Sequence, residues 1–267
     1  MSNATTLGDD SESELFLVVG RLSEIHVERD RENLLLKIDK HYQGKSIVTG
    51  AGDMFGQAAS AASLAMYDGE DTQNFACLID DQVMCGQFGG AEWLTEDHVV
   101  KAVVSKQNDV LFAHAIMDEK AGTVWVSHAW GSKAENSANW KIAWCCFVFQ
   151  LLGMSLMTHF IGTGSDKWVD FMQFSVLGGG VLCFGMALWN SNTMQGLAEP
   201  STDMFRLLGF AKPESVNLNG YKLSLLNDNS FKALGKTRNE INDLCEYQKK
   251  NVFYYKQAIE EGKLSMV

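Results

Sequence analysis

Histidine, cysteine and carboxylate side chains could support catalysis or hold a metal, but their spacing in this chain forms no known catalytic or metal-binding set. Five of the six histidines stand singly, without His-Glu-x-x-His or another ligand spacing: His26, His41, His98, His114 and His128. No Gly-x-Ser-x-Gly segment or catalytic-cysteine signature occurs. We therefore expect no catalytic residue, no metal site and no enzymatic activity. A pairing of His114 with His128 across neighbouring strands is the single arrangement left open.

The cysteines and a glycine-rich segment are also read as structural. The six cysteines form no Cys-x-x-Cys pair, which predicts reduced thiols: Cys77, Cys85, Cys145, Cys146, Cys183 and Cys245. The segment Gly50–Gly56 has the spacing Gly-x-Gly-x-x-x-Gly, but it lacks the Lys-Ser/Thr of a phosphate-binding loop. We expect no cofactor, and we interpret this segment as a loop that leads into a helix at Phe55–Met66.

Small residues follow a spacing typical of helix contacts inside a membrane. In the second of two apolar runs they recur at every fourth position: Ser175, Gly179, Cys183 and Ala187. Such a stripe lets two helix backbones approach closely, either within one chain or between proteins. In the first run, Gln150 is near mid-depth, where an unpaired amide would cost about 1–2 kcal/mol, so it should hydrogen-bond to the partner helix or to another chain. The acidic pair Asp80 and Asp81, at a predicted strand turn, completes the candidate interaction residues.

The two apolar runs, Ile142–Thr163 and Trp168–Trp189, have the size and spacing of a transmembrane helical hairpin. At about 1.5 Å per residue each run reaches about 33 Å, which spans a hydrocarbon core of roughly 30 Å. Lys, Arg and Glu are absent from both runs. The runs therefore predict a membrane protein, although the mean hydropathy of the whole chain is only −0.09. The alternative is a helical hairpin buried in a large soluble core.

The residues that flank the runs predict how the hairpin is oriented. Tryptophans cluster at the boundaries, where indole rings prefer the membrane interface: Trp140, Trp144, Trp168 and Trp189. Basic residues concentrate on the two outer flanks: Lys133, Lys141, Arg206 and Lys212. The turn between the runs carries only Lys167, so the positive-inside bias places both termini in the cytoplasm. Residues 1–14 are polar and acidic and predict no cleaved signal peptide.

Charge is distributed unevenly and supports three segments. Residues 1–140 contain 22 acidic against 10 basic residues, whereas residues 141–267 contain 11 against 12. We therefore predict an acidic β-rich domain at 1–140, a transmembrane hairpin at 141–190 and a helical cytoplasmic region at 191–267. An acidic domain should be repelled by nucleic acid and by anionic lipid, which excludes a nucleic-acid partner. Its surface is either simply solvated or a docking face for a basic partner.

Short β-branched runs separated by turn residues predict six or seven strands in the first segment. The expected strands are Leu15–Val19, Leu34–Ile38, Phe75–Ile79, Val83–Phe88, His98–Ser105, Val110–Met117 and Thr123–His128. The predicted fold class is α+β, with a β-rich barrel or sandwich next to the membrane.

The segment that follows the hairpin is predicted to be helical. Residues 201–203 could cap a short helix at Met204–Leu208 that Gly209 ends. Apolar residues between Lys236 and Glu261 recur at intervals of three, four or seven, which predicts an amphipathic helix packed on the body of the protein.

Several segments together resemble a family of small two-span membrane proteins encoded beside bacterial type VI secretion clusters, often labelled type VI effectors. The resemblance covers roughly residues 15–215 and is carried by Gly86–Phe88, Trp93–Val104, Val110–Ala115, Val124–His128 and Asp203–Pro213. These segments are structural rather than catalytic.

The resemblance implies one of two roles at the bacterial inner membrane. The first is an immunity protein that binds and neutralises a cognate type VI toxin, one that acts at the membrane. The second is a membrane-anchored effector, and a non-catalytic membrane scaffold is a further alternative. The expected partners are a toxin protein and the lipid bilayer, and the formation of a homo-oligomer is left open.

Overall fold

The computed structural model describes residues 14–28, 72–107, 110–161, 165–223 and 251–267. The chain divides into two compact units. We call Met1–Ser127 with Tyr221–Lys263 the barrel unit, and His128–Gly220 with Leu264–Val267 the hairpin unit. The boundaries expected from sequence at 140 and 190 both fall inside helices, Ser132–Ile161 and Ser165–Leu207.

Five strands of the barrel unit close into a barrel. They are β1 (Phe16–Glu28), β2 (Thr72–Ile79), β3 (Gln82–Gly89), β4 (Val99–Gln107) and β5 (Val110–Asp118). Antiparallel pairs join β3 to β2, β2 to β1, β1 to β4 and β4 to β5, and a parallel pair joins β5 to β3. Of the two predicted alternatives, barrel or sandwich, the structure is therefore the barrel.

The first strand is shared between two neighbours, which is how five strands close on themselves. Its residues Phe16–Arg21 pair with β4, and its residues from Leu22 to Glu28 pair with β2. The register shifts between Ser23 and His26, and Glu24 there has a φ of 51°. A bulge of this kind bends a strand and increases its twist, as barrel closure requires. The strand is longer than the expected Leu15–Val19, because it continues as a half-buried, alternating segment rather than a continuous apolar run.

Two short strands extend the sheet from the second half of β5. They are β6 (Thr123–Val126) and β7 (Val252–Tyr254), and a short helix, α3 (Tyr255–Glu260), follows β7. The prediction of one amphipathic helix from Lys236 to Glu261 is wrong at Val252–Tyr254. This β-branched and aromatic run pairs with the free edge of β6, and that tertiary pairing overrides the helical spacing. Residues 236–250 of that prediction lie outside the described residues.

The barrel interior is filled by apolar side chains from every strand. Leu22, Phe75, Met84, Val104 and Ile116 are all fully buried in one cluster. The strand order and the parallel pair between β3 and β5 are the connectivity of a five-stranded Greek-key barrel of the oligonucleotide- and oligosaccharide-binding type. The predicted strand Leu34–Ile38, the helix Phe55–Met66 and the loop Gly50–Gly56 lie outside the described residues.

The hairpin unit is built on two long helices, α1 (Ser132–Ile161) and α2 (Ser165–Leu207). Helix α1 begins ten residues before the predicted apolar run, and α2 continues to Leu207. The predicted separate short helix at Met204–Leu208, capped by residues 201–203, is therefore wrong, since residues 201–207 lie inside α2. The hydroxyls of Ser201 and Thr202 donate to the carbonyls of Leu197 and Ala198, four residues earlier, instead of capping a new helix.

The end of α2 agrees with the sequence signal at Gly209, whose φ is 91°. The Gly209 amide donates to the Arg206 carbonyl at 3.1 Å, and the Phe210 amide donates to the Phe205 carbonyl at 3.0 Å. These two bonds define a Schellman motif, and the rings of Phe205 and Phe210 make its apolar contact, with centroids 5.5 Å apart. The helix therefore ends where a left-handed residue is required, and glycine supplies it without strain.

Candidate functional site: the helical hairpin

The outward surface of the hairpin is apolar over the length of both predicted runs. Many large apolar side chains there are more than half exposed, among them Phe149 at 80%, Phe160 at 78% and Trp189 at 79%. The most apolar windows of the two helices, within Ser132–Met157 and Gln173–Leu207, are only 6% and 17% buried. Both helices are long and apolar enough to cross a membrane. The core helix of a soluble protein would instead be mostly buried.

The small-residue stripe lies on the opposite, inward side of α2. Ser175 is 1% exposed and Ala187 is 6% exposed, although α2 is otherwise largely uncovered. A Cβ atom built at Gly179 would overlap the amide of Gln150 on α1. The stripe is therefore used for contact within the hairpin, the first of the two arrangements that its spacing allows.

The Gln150 side chain contacts this stripe through both of its hydrogen-bonding groups, Nε2 and Oε1. The side-chain amide Nε2 donates to the Ser175 carbonyl at 3.4 Å. The Cys183 thiol lies 3.8 Å from Gln150 Oε1 and donates to it. The amide is thus paired with the partner helix, as expected from the cost of burying it alone. The structure brings Gln150 together with Ser175, Gly179 and Cys183.

A second set of polar contacts joins the helices beyond the apolar runs. The Asn190 amide donates to Asn139 Oδ1 at 2.8 Å, and the Ser191 hydroxyl donates to Asn136 Oδ1 at 2.9 Å. Further along, the backbone amide of Ser132 donates to Thr202 Oγ1 at 2.9 Å, which satisfies a free amide at the start of α1. Sequence reasoning missed these contacts. The sequence signal for them is the polar residues that follow Trp189, among them Asn190 and Ser191.

The acidic pair Asp80 and Asp81 lies in the barrel unit and forms the two-residue turn between β2 and β3. Their φ angles are 45° and 69°, as a type I′ turn requires at both positions. Asp80 Oδ1 also accepts the backbone amide of Arg21 at 2.9 Å. This contact gives Asp80 a structural role, and Asp81 is exposed beside it.

His114 and His128 each contact another residue, so the pairing that the sequence left open between them does not form. His114 Nε2 lies 2.8 Å from the Ser105 hydroxyl on β4, and His128 Nε2 lies 3.5 Å from Glu135 at the start of α1. Burial lowers the pKa of His114 from 6.5 to about 4. Ser105 and His114 are therefore a neutral, largely enclosed pair.

The cysteines of the described residues are free thiols. Burial raises the pKa of Cys85 to about 12 and also raises the pKa of Cys77, so neither is a reactive thiolate. Cys245 lies outside the described residues. Within the part of the chain that the structure describes, no group of three or more His, Cys, Asp or Glu side chains is placed to hold a metal ion.

One polar pair that the sequence did not single out is His98 with Asp118. The Asp118 side chain is 2% exposed, and its Oδ2 lies 2.5 Å from His98 Nδ1. Burial, with the nearby carboxylates of Glu119 and Asp118, raises the pKa of Tyr255 to about 12. The sequence could have revealed this pair. Gln107 opposes Val110 at the adjoining ends of β4 and β5, and this register brings residues near 98 and 118 together.

The barrel resembles ligand-binding barrels in its connectivity, but the corresponding face is closed. Such barrels bind ligands on the face of their second and third strands. Here most of the outward residues of those strands are buried, with Asn74 at 6%, Ala76 at 0% and Cys85 at 0% exposure, and Leu78 and Gln87 are partly exposed. Comparison of the chain with protein-family models, with curated proteins and with solved structures finds no match.

Proposed function

We propose that this chain is an integral membrane protein anchored by the helices α1 and α2. The observation that carries this proposal is the division of the hairpin into an apolar outward surface and a polar inward seam. Phe149 and Phe160 point outward and are 80% and 78% exposed, whereas the Gln150 amide contacts α2. Lipid tails can cover the apolar outward surface, and the polar inward seam is hydrogen-bonded within the hairpin.

We further propose that both termini lie in the cytoplasm of a bacterial cell and that the hairpin crosses the inner membrane. Four basic residues support this orientation, two before the first apolar run and two after the second: Lys133, Lys141, Arg206 and Lys212. The turn between the helices is too short to form an outer domain.

The biochemical role that we propose is immunity: the protein binds and neutralises a cognate type VI toxin that acts at the membrane. The resemblance of residues 15–215 to membrane proteins encoded beside type VI clusters supports this role. We assign recognition of the toxin to the acidic barrel unit, because the small-residue stripe is already occupied by α1. A basic face on the toxin would complement the acidic excess of residues 1–140.

A competition assay between sibling strains tests this role. A strain that lacks the protein should be killed by wild-type siblings with active type VI secretion, and a plasmid copy of the full chain should restore survival. Siblings with inactive secretion are the control. Normal survival of the deletion strain beside active attackers would reject immunity. Growth arrest on expression of this chain alone would instead favour the effector alternative.

A further inference from the structure

The pair formed by His98 and Asp118 has the features of a site that accepts protons. Asp118 ends β5, and its two carboxylate oxygens have different partners: Oδ2 contacts His98 Nδ1, and Oδ1 accepts the backbone amide of Ala121 at 2.9 Å. An ionised carboxylate can only accept, so beside ionised Asp118 the Nδ1 of His98 is the donor to Oδ2. When the ring is neutral and the carboxylate is ionised, the ring proton is then on Nδ1.

The backbone fixes the position of this ring. The His98 carbonyl accepts the Leu22 amide at 2.9 Å, and the Asp97 amide donates to the Leu22 carbonyl at 2.8 Å. Two backbone bonds thus hold the segment before β4 against β1, and the carboxylate orients the imidazole from the other side. A histidine held in this way needs little reorganisation when it takes a proton.

The other ring nitrogen is available. Of the residues that the structure describes, none forms a hydrogen bond with His98 Nε2, and the side chain is 16% exposed. His114 differs, because its Nε2 already contacts the Ser105 hydroxyl. With its proton on Nδ1, the neutral His98 ring presents an unshared electron pair at the surface, whereas His114 Nε2 already has a partner.

We propose that His98 and Asp118 form a general-base site, in which His98 Nε2 accepts a proton or hydrogen bond from a neutral O–H donor, either water or a ligand hydroxyl. The charges nearby favour a neutral donor over an anion. Lys101 is paired with Glu119 at 2.6 Å and Arg21 lies 3.9 Å from Asp97, so neither of these two cations pairs with Asp118, whose negative charge faces His98. The site is independent of the hairpin and of the immunity role.

Chemical labelling of the full chain in detergent tests the proposal. Diethyl pyrocarbonate reacts with unprotonated imidazole nitrogens, and peptide mass spectrometry measures the rate at each histidine. We expect His98 to react roughly tenfold or more faster than His114. Asp118→Asn should slow the reaction at His98, because the asparagine amide can donate to Nδ1 and move the ring proton to Nε2. Equal rates at His98 and His114 would overturn the proposal.

A second measurement avoids dependence on the folding of the variant. Nitrogen-15 NMR of the histidine rings in the wild-type chain reports which nitrogen carries the proton. The proposal requires the neutral form of His98 with its proton on Nδ1. A proton on Nε2 would show that the exposed nitrogen is a donor, and the general-base assignment would then be wrong.

Discussion

At the scale of single residues, Gly179 shows most clearly how the hairpin is held together. A Cβ at this position overlaps the Gln150 amide, whereas a Cβ at Gly185 on the same helix meets nothing within 4 Å. We expect Gly179→Ala to lower the unfolding free energy of the hairpin by about 1–3 kcal/mol through overpacking and loss of the Gln150 contacts. The matched change Gly185→Ala should be neutral or stabilising, because alanine favours the helix. Thermal unfolding in detergent would measure both, and an equal response would contradict the packing.

His114 makes the stability of the barrel unit depend on pH. Its pKa in the folded protein is lowered from 6.5 to about 4, so the unfolded chain binds the proton more tightly. Neutral His114 therefore stabilises the folded state fully above pH 6.5, and this stabilisation is lost as the pH falls towards 4. Relative to His114→Gln, the wild type should lose up to about 3 kcal/mol of unfolding free energy over this interval. If the unfolding free energies of the wild type and of His114→Gln change with pH in parallel, His114 is not the cause of the pH dependence.

At the scale of elements, strands were predictable where apolar residues form compact runs, as in β2 to β6. The exceptions have physical causes. Val252–Tyr254 has helical spacing with the residues around it, but the free edge of β6, far away in the chain, makes it a strand. Ser201 and Thr202 have the composition of a helix cap, yet α2, which contacts the start of α1 through Thr202, continues through them. Both outcomes depend on tertiary contacts that local patterns do not contain.

The end of α2 is an element boundary that local chemistry does determine. Gly209 adopts a φ of 91°, which strains any residue with a Cβ. We expect Gly209→Ala to destabilise the hairpin unit by about 1–2 kcal/mol. Gly220→Ala is the matched control, because Gly220 has open space around it and no left-handed φ. A thermal midpoint in detergent that falls for both variants alike would mean that the Schellman motif contributes nothing specific.

At the scale of the whole molecule, the sequence predicts two helices that could cross a membrane and a β-rich domain, and the structure has both. The three segments expected from composition and the two compact units follow different boundaries. Residues 221–263 belong with the barrel, and residues 264–267 belong with the hairpin unit. The bridge between Phe210 and Met266 joins the end of α2 to these last residues. Pairings between segments so distant in the chain have no local signature, so the boundaries expected at 140 and 190 followed composition instead.

The proposed membrane anchor makes the outward surface of α1 sensitive to charge. Leu152 lies at the middle of the first apolar run and is 65% exposed, so it would face lipid at about mid-depth. Leu152→Lys should raise the free energy of the inserted state by about 3 kcal/mol and shift protein from the membrane to the soluble or degraded fraction. Asn192→Lys adds the same charge at an exposed site beyond the apolar run and should leave the distribution unchanged. Alkaline carbonate extraction of membranes, followed by immunoblotting, measures this distribution. If wild type, Leu152→Lys and Asn192→Lys are all extracted equally, the apolar surface does not face lipid, and a protein partner must cover it.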